Sequence, residues 1–296
     1  MFKKIALLIF CILLVAAAGC SAQNQSETNS PVDAAKAKAV MNDFQNLTQN
    51  DAGVEEIAGF IADNITYVSE EDASKLVDQF EQIQKDKISE LETLFFDDTM
   101  QSKIISEYSS ITAGNEIKDT ELKELLAKTK NSGYKVETAE GTYFPIIDYS
   151  FYKEFRDNVA PDLKDYINIM AVESDKVPAK DAALVIGWDD VLNRALDMEE
   201  FLSEHQDSMK ADEVKELYKK YFTFTLYGLN NTPLFSYGSN TMDAEAREVY
   251  EKVVKDTGNS EFLKTLGEYM TLIKNNNYTL NDEITQYRDN VIKGLK

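Results

Sequence analysis

The sequence predicts a mainly α-helical body of several helices with one small β-hairpin near its middle. Three observations carry this prediction. Apolar residues recur at three- and four-residue steps through most of the chain, helix-capping residues stand before these runs, and one short stretch alternates instead. With 296 residues and 43% apolar side chains, the chain is long enough for a sizeable core.

Taken in order, Ser30 reads as an N-cap, with Pro31 in the first turn and Asp33 as a capping acid, starting a helix that runs to about Leu47. Ser69 with Asp72 repeats the capping logic. Behind it, Leu76, Val77, Phe80, Ile83, Ile88, Leu91, Leu94 and Phe95 mark one face of a long helix. The stretch 133–149 breaks the pattern: Tyr134, Val136 and Thr138 alternate with Lys135 and Glu137, and Ala139-Glu140-Gly141 reads as a turn. A hairpin is expected there, and Pro145, which has no N–H to donate, places its strand at an edge. Helical faces resume at Leu163, Tyr166, Ile167 and Met170, and again at Phe262, Leu263, Leu266, Tyr269, Met270 and Ile273. Residues 31–296 thus read as one helical body, or as two subdomains, 31–132 and 133–296.

The N-terminus has a different character. Lys3 and Lys4 precede an apolar run from Ile5 to Ala18, followed by small residues. This is the pattern of a secretory signal, here residues 1–19. The run is 14 residues, shorter than the roughly 20 that span a bilayer as a helix. The sequence Leu14-Val15-Ala16-Ala17-Ala18-Gly19-Cys20 resembles the lipobox of bacterial lipoproteins, departing from it at Ala17, where that family most often has Leu. The resemblance implies cleavage before Cys20, acyl chains on its sulfur, and a protein anchored at the extracytoplasmic face of the cell membrane. Two acyl chains at about 0.8 kcal/mol per buried CH₂ suffice for stable attachment. Cys11 and Cys20 are the only cysteines, so the mature chain has no disulfide to form. Residues 20–30 comprise the lipidated cysteine and a polar tether with no aromatic, whose ten-residue coil reaches on the order of 17–19 Å. Basic residues that are mostly lysine, together with many asparagines, point to a Gram-positive source.

The formal charge is −21 and becomes two units more negative once Lys3 and Lys4 are removed. Such a surface repels phosphate backbones, so nucleic acid is not an expected partner. The chain has no G-x-S-x-G elbow, no phosphate-binding glycine loop and no calcium-loop spacing. Asp97-Asp98 and Asp189-Asp190 read as helix starts. His205, the single histidine, reads as a helix-end residue facing the dipole. No catalytic residue, metal ligand or cofactor is therefore expected, although paired carboxylates from distant positions would serve an envelope hydrolase.

Two irregular, tyrosine-bearing segments remain. Tyr143, Asp148 and Tyr149 follow the hairpin, with Asp148 also placed to cap the next helix. Asn230, Asn231 and Tyr237 lie in and after a loop beside Tyr221, Phe222, Phe224, Tyr227 and Phe235. Tyrosines beside loop amides can stack on and bond to sugars or peptides. The expected role is a binding or interaction module for an envelope glycan, peptide or protein, with a carboxylate-dependent hydrolase as the alternative.

Overall fold

The computed structural model describes residues 33–295. The expected signal, Cys20 with its tether, and the expected cap at Ser30 and Pro31 lie outside the described residues. Helix is the dominant element, as predicted, and every strand belongs to a two-stranded antiparallel hairpin.

The first described helix, α1 (Ala34–Gln49), is capped by Asp33, whose carboxylate accepts from the amides of Ala35 and Lys36. An ionised acceptor that satisfies two orphan N–H groups and also faces the positive helix end is a sufficient start signal. Next come α2 (Val54–Asn64) and the 26-residue α3 (Glu70–Phe95), capped by Ser69 on the Asp72 amide as expected. Of the predicted α3 face, Leu76, Val77, Phe80, Leu91 and Phe95 are buried, while Leu94 is exposed. Asp97 caps α4 (Asp98–Ala113), with Asp98 in its first turn, and Asp119 caps α5 (Thr120–Asn131).

The predicted hairpin is β1 (Tyr134–Ala139) paired with β2 (Thr142–Ile147). Its connection is Glu140-Gly141, both at positive φ, which matches the right-handed strand twist. Pro145 lies opposite Val136 in a sheet of two strands, where each strand is an edge. A 3₁₀ turn (Phe151–Glu154) leads to α6 (Pro161–Asp175). Then follow β3 (Ala179–Lys180), β4 (Ala183–Leu184), α7 (Trp188–Glu204), α8 (Ala211–Tyr227), β5 (Gly228–Leu229), β6 (Thr232–Pro233), α9 (Ala244–Val253), α10 (Glu261–Asn275) and α11 (Asp282–Gly294). The two short hairpins, β3–β4 and β5–β6, are additions to the sequence reading. With two residues per strand they offer no alternation to detect.

Two apolar clusters organise the packing. The larger one draws on α1, α2, the first half of α3 and α6 to α11. All six residues marked on α10 are buried in it. The smaller one gathers Leu91 and Phe95 of α3, Met100 and Ile104 of α4, Leu122 and Leu125 of α5, and Tyr134 and Tyr143 of the hairpin. At roughly 1.5–3 kcal/mol for each large side chain taken out of water, α3 matters most, because its two halves belong to different clusters. A buried ion pair joins α6 to α7 and is met by α8: Arg194 donates to Glu173 of α6 at 2.9 Å, to the Tyr221 hydroxyl of α8 at 3.0 Å and to the Lys176 carbonyl at 2.9 Å.

Candidate functional site

The chain leaves α8 abruptly because Gly228 adopts φ +70° and ψ −149°, a region open essentially to glycine alone. It turns straight into the β5–β6 hairpin, whose tip is Asn230-Asn231. After β6, Leu234 and Phe235 return to the core, and the following loop is pinned by backbone bonds from Ser236 to Thr241, Asn240 to Ser236 and Leu280 to Asn240, all at 2.8–2.9 Å. A cleft of about 440 Å³ opens between this loop, the hairpin, the end of α8 and α11.

Tyr237 projects at the rim, 75% exposed, and its hydroxyl donates to the Asn230 carbonyl at 3.1 Å, which fixes the ring over the opening. Arg288 of α11 supplies the cation: its guanidinium lies 4.2 Å from the centre of the Tyr227 ring and its charge faces the Tyr269 hydroxyl. Its Nε is buried without a hydrogen-bond partner. The Tyr227 hydroxyl donates to Asp289 at 2.5 Å, and its pKa is pushed up to about 12, first by burial and then by that bond. No residue lining the cleft is acidic, in a chain with 52 aspartates and glutamates. A cleft with one cation, amides, hydroxyls and an exposed ring suits a ligand that combines negative charge with a flat or sugar-like face.

Of the residues singled out in the sequence, Asn230 and Tyr237 line this cleft together. Asn231 stands behind it: its backbone N–H donates to the Ala182 carbonyl at 2.8 Å and its side chain to the Asp181 carbonyl at 2.5 Å, tying the β5–β6 tip to the β3–β4 tip. Tyr143, Asp148 and Tyr149 do not line it. Tyr143 is buried in the smaller cluster. Asp148 accepts from the Ser150 amide at 3.1 Å and pairs with Lys135 at 3.4 Å, so it shapes the turn before the 3₁₀ segment. It is not the expected helix cap: the 3₁₀ turn follows Ser150 with no side-chain cap, and α6 follows Ala160. Tyr149 is buried, and its hydroxyl donates to Glu81.

Glu81 belongs to an internal ionic network. Lys210, with no exposed surface, places Nζ 2.5 Å from Asp78, 2.6 Å from Glu81 and 3.1 Å from Glu213. Lys85 joins Glu81 at 2.8 Å and Glu213 at 2.6 Å, and the Tyr166 hydroxyl, with one proton to donate, lies 2.6 Å from Glu81 and 3.0 Å from Glu213. Beside it, Gln84 accepts from the Tyr152 hydroxyl and donates to the carbonyls of Ser132 and Gly133. Burial alone would lower the Lys210 pKa, but the charge of Glu81 and hydrogen bonds to Asp78 and Glu81 overcome it and raise it. Burial alone would raise Glu81, and Lys210 overcomes that and lowers it. Every charge has an opposite partner, so the network fastens α3, α6 and α8 together.

A third concentration of chemistry lies where α6 meets α7. A cleft of about 390 Å³ is lined by Asp165, Asp197, Glu200 and Glu204 among others. Asp197 is the one carboxyl among the described residues held above its ordinary pKa, by burial and then by Glu200. Glu199, on the same helix, is committed to the fold, accepting from Ser260 and the Phe262 amide at the start of α10. His205 is the C-cap of α7, as its position suggested, and its Nε2 lies 3.0 Å from Asp165.

Comparison with protein-family models, with curated proteins and with solved structures finds no match to this chain.

Proposed function

We propose that this chain is a lipid-anchored, extracytoplasmic binding protein that takes an anionic, sugar-bearing envelope ligand in the cleft between Tyr237 and Arg288. The carrying observation is the charge pattern: in a strongly acidic chain, this cleft has an arginine, an exposed tyrosine and no carboxylate in its lining. The lipobox-like run ending at Cys20 supports the anchor, and the polar residues after it support a short tether. Among the described residues no helix is long and apolar enough to cross a membrane. Acylation of Cys20 is thus the proposed means of attachment. Cys20→Ala is expected to abolish incorporation of a labelled fatty acid and to release the protein from the membrane fraction. Undiminished labelling of the alanine variant defeats the anchor assignment.

The ligand assignment is tested by calorimetric titration with N-acetylmuramic acid against N-acetylglucosamine, which has the same ring without the carboxylate. The acid is expected to bind at least tenfold more tightly. Tyr237→Ala is expected to weaken it about fivefold, since stacking on one aromatic ring contributes on the order of 1 kcal/mol. Because the side chain is mostly exposed, the melting temperature should stay close to that of the parent. Equal affinity for both sugars, or unchanged binding by Tyr237→Ala, removes the reading.

The hydrolase alternative would use the acidic α6–α7 cleft, where burial and then Glu200 raise the Asp197 pKa, the direction a general acid needs. Cleavage of wall polymer that survives Tyr237→Ala and is lost in Asp197→Asn would move the assignment there.

A further inference from the structure

We infer that Asp165, Glu204 and His205 form a binding site for a divalent transition-metal ion, independent of the Tyr237–Arg288 cleft. Asp165 comes from α6, Glu204 is the last residue of α7 and His205 its C-cap, so the packing of two helices brings the three side chains together. One ligand atom from each lies within 4.8 Å of the others. The His205 Nε2 to Asp165 Oδ2 distance is 3.0 Å. Donors bonded at about 2.0–2.2 Å to a tetrahedral ion stand about 3.4 Å apart. A metal ion would therefore take the place of the shared proton with little movement of this pair, and Glu204, an exposed residue at the helix end, would close on it.

The imidazole is also held in place. The Phe201 ring, one turn earlier on α7, lies 5.0 Å from the His205 ring at 58°. His205 is largely sheltered while Asp165 is about half exposed, which gives the site a rigid nitrogen and an open approach. Further carboxylates flank it, Asp197 and Glu200 on one side and Asp162 and Asp207 on the other, and would raise the local cation concentration. The donor set chooses the metal class. One imidazole nitrogen and two carboxylate oxygens suit zinc and its neighbours, with a fourth position left for water, whereas calcium takes six to eight oxygens. Sequence reading expected no metal ligand, since Asp165 lies 40 residues from His205 and only the fold joins them.

The test is calorimetric titration of the full chain, stripped with EDTA in detergent, with ZnCl₂ and separately with CaCl₂. One zinc ion per chain is expected, bound at least tenfold more tightly than calcium. His205→Gln and Asp165→Asn should each weaken zinc at least tenfold while keeping the parent's circular dichroism and melting temperature. Cobalt in place of zinc should give the visible absorption of a low-coordinate ion in the parent and lose it in His205→Gln. Absence of saturable zinc binding overturns the inference. So does zinc binding unchanged by His205→Gln, or no preference over calcium, either of which would mark diffuse attraction to the acidic surface.

Discussion

Replacing Lys210 by methionine is expected to cost about 3–5 kcal/mol at neutral pH, the range for removing one partner of a buried ion pair. The cost arises because Glu81, which is itself buried, keeps its charge and loses its closest compensation. Lys85 and the hydroxyls of Tyr149 and Tyr166 remain, but Lys85 is partly solvated and shared with Glu213. The pH dependence has a definite sign. In the parent, the folded pKa of Glu81 lies below the ordinary 4.5. Its contribution is therefore fully present above 4.5 and is lost as the pH falls through the lowered value. Lys210 is raised above 10.5, so its contribution is present below 10.5 and is lost as the pH rises past the raised value. In Lys210→Met, burial is left to dominate Glu81 and pushes its pKa up, so the variant is penalised where Glu81 must be charged. The gap between parent and variant should be small in acid and widen as the pH climbs through 4.5 toward neutrality. Urea unfolding of both proteins on either side of that value measures it. A gap that is independent of pH would show that lost packing is responsible, not charge.

This network also shows where sequence reading stopped. The apolar period predicted a helix through α3, and capping chemistry placed its start at Ser69, where it begins. The same period gave all six buried positions of α10, and alternation before a turn read at Ala139-Glu140-Gly141 gave the hairpin, although Ala139 closes β1 and the turn is Glu140-Gly141 alone. These features depend on neighbours within a few residues. The pairing of Lys210 with Glu81 spans 129 residues, and no local pattern encodes it. A trace of it was nevertheless present: Glu81 and Gln84 fall four residues after Val77 and Phe80, on the apolar face of α3. A polar residue on a core-facing stripe implies a buried partner without naming it.

The site was half legible for the same reason. Asn230 and Tyr237 were visible as tyrosine and amide in an irregular segment, and they line the cleft. Tyr143 and Tyr149 had the same local signature, but their rings complete the core. Arg288, which supplies the charge, sits in a helix far along the chain, where nothing distinguishes it from a solvated arginine. Asp33 illustrates a smaller limit. Several capping residues in succession near a helix start leave its register open, and the described helix takes the acid nearest the body.

Gly228→Ala is expected to have an effect comparable in size to Lys210→Met and to fall directly on the candidate site. Two costs add. The backbone at φ +70° and ψ −149° is closed to residues with a Cβ, at about 1–3 kcal/mol. A Cβ built there would also lie 2.2 Å from the Thr232 carbonyl oxygen and 2.7 Å from the Leu234 amide nitrogen. Both contacts are backbone, so no side chain can rotate away, and overpacking of this kind adds about 1–3 kcal/mol. A total on the order of 3 kcal/mol or more follows, unless the hairpin yields instead. The two outcomes separate in measurement. If β5–β6 is integral to the fold, the melting temperature drops sharply and ligand binding falls with it. If the hairpin yields, β6 swings away from β5, the Leu234 amide loses its 2.9 Å bond to the Tyr227 carbonyl, and the Asn230 carbonyl moves off the Tyr237 hydroxyl. Stability then changes little while binding in the cleft is lost. In both cases the cleft goes, because Gly228 sets the angle at which the hairpin leaves α8. An alanine variant with the parent's melting temperature and the parent's affinity would show that this turn neither carries strain nor shapes the site.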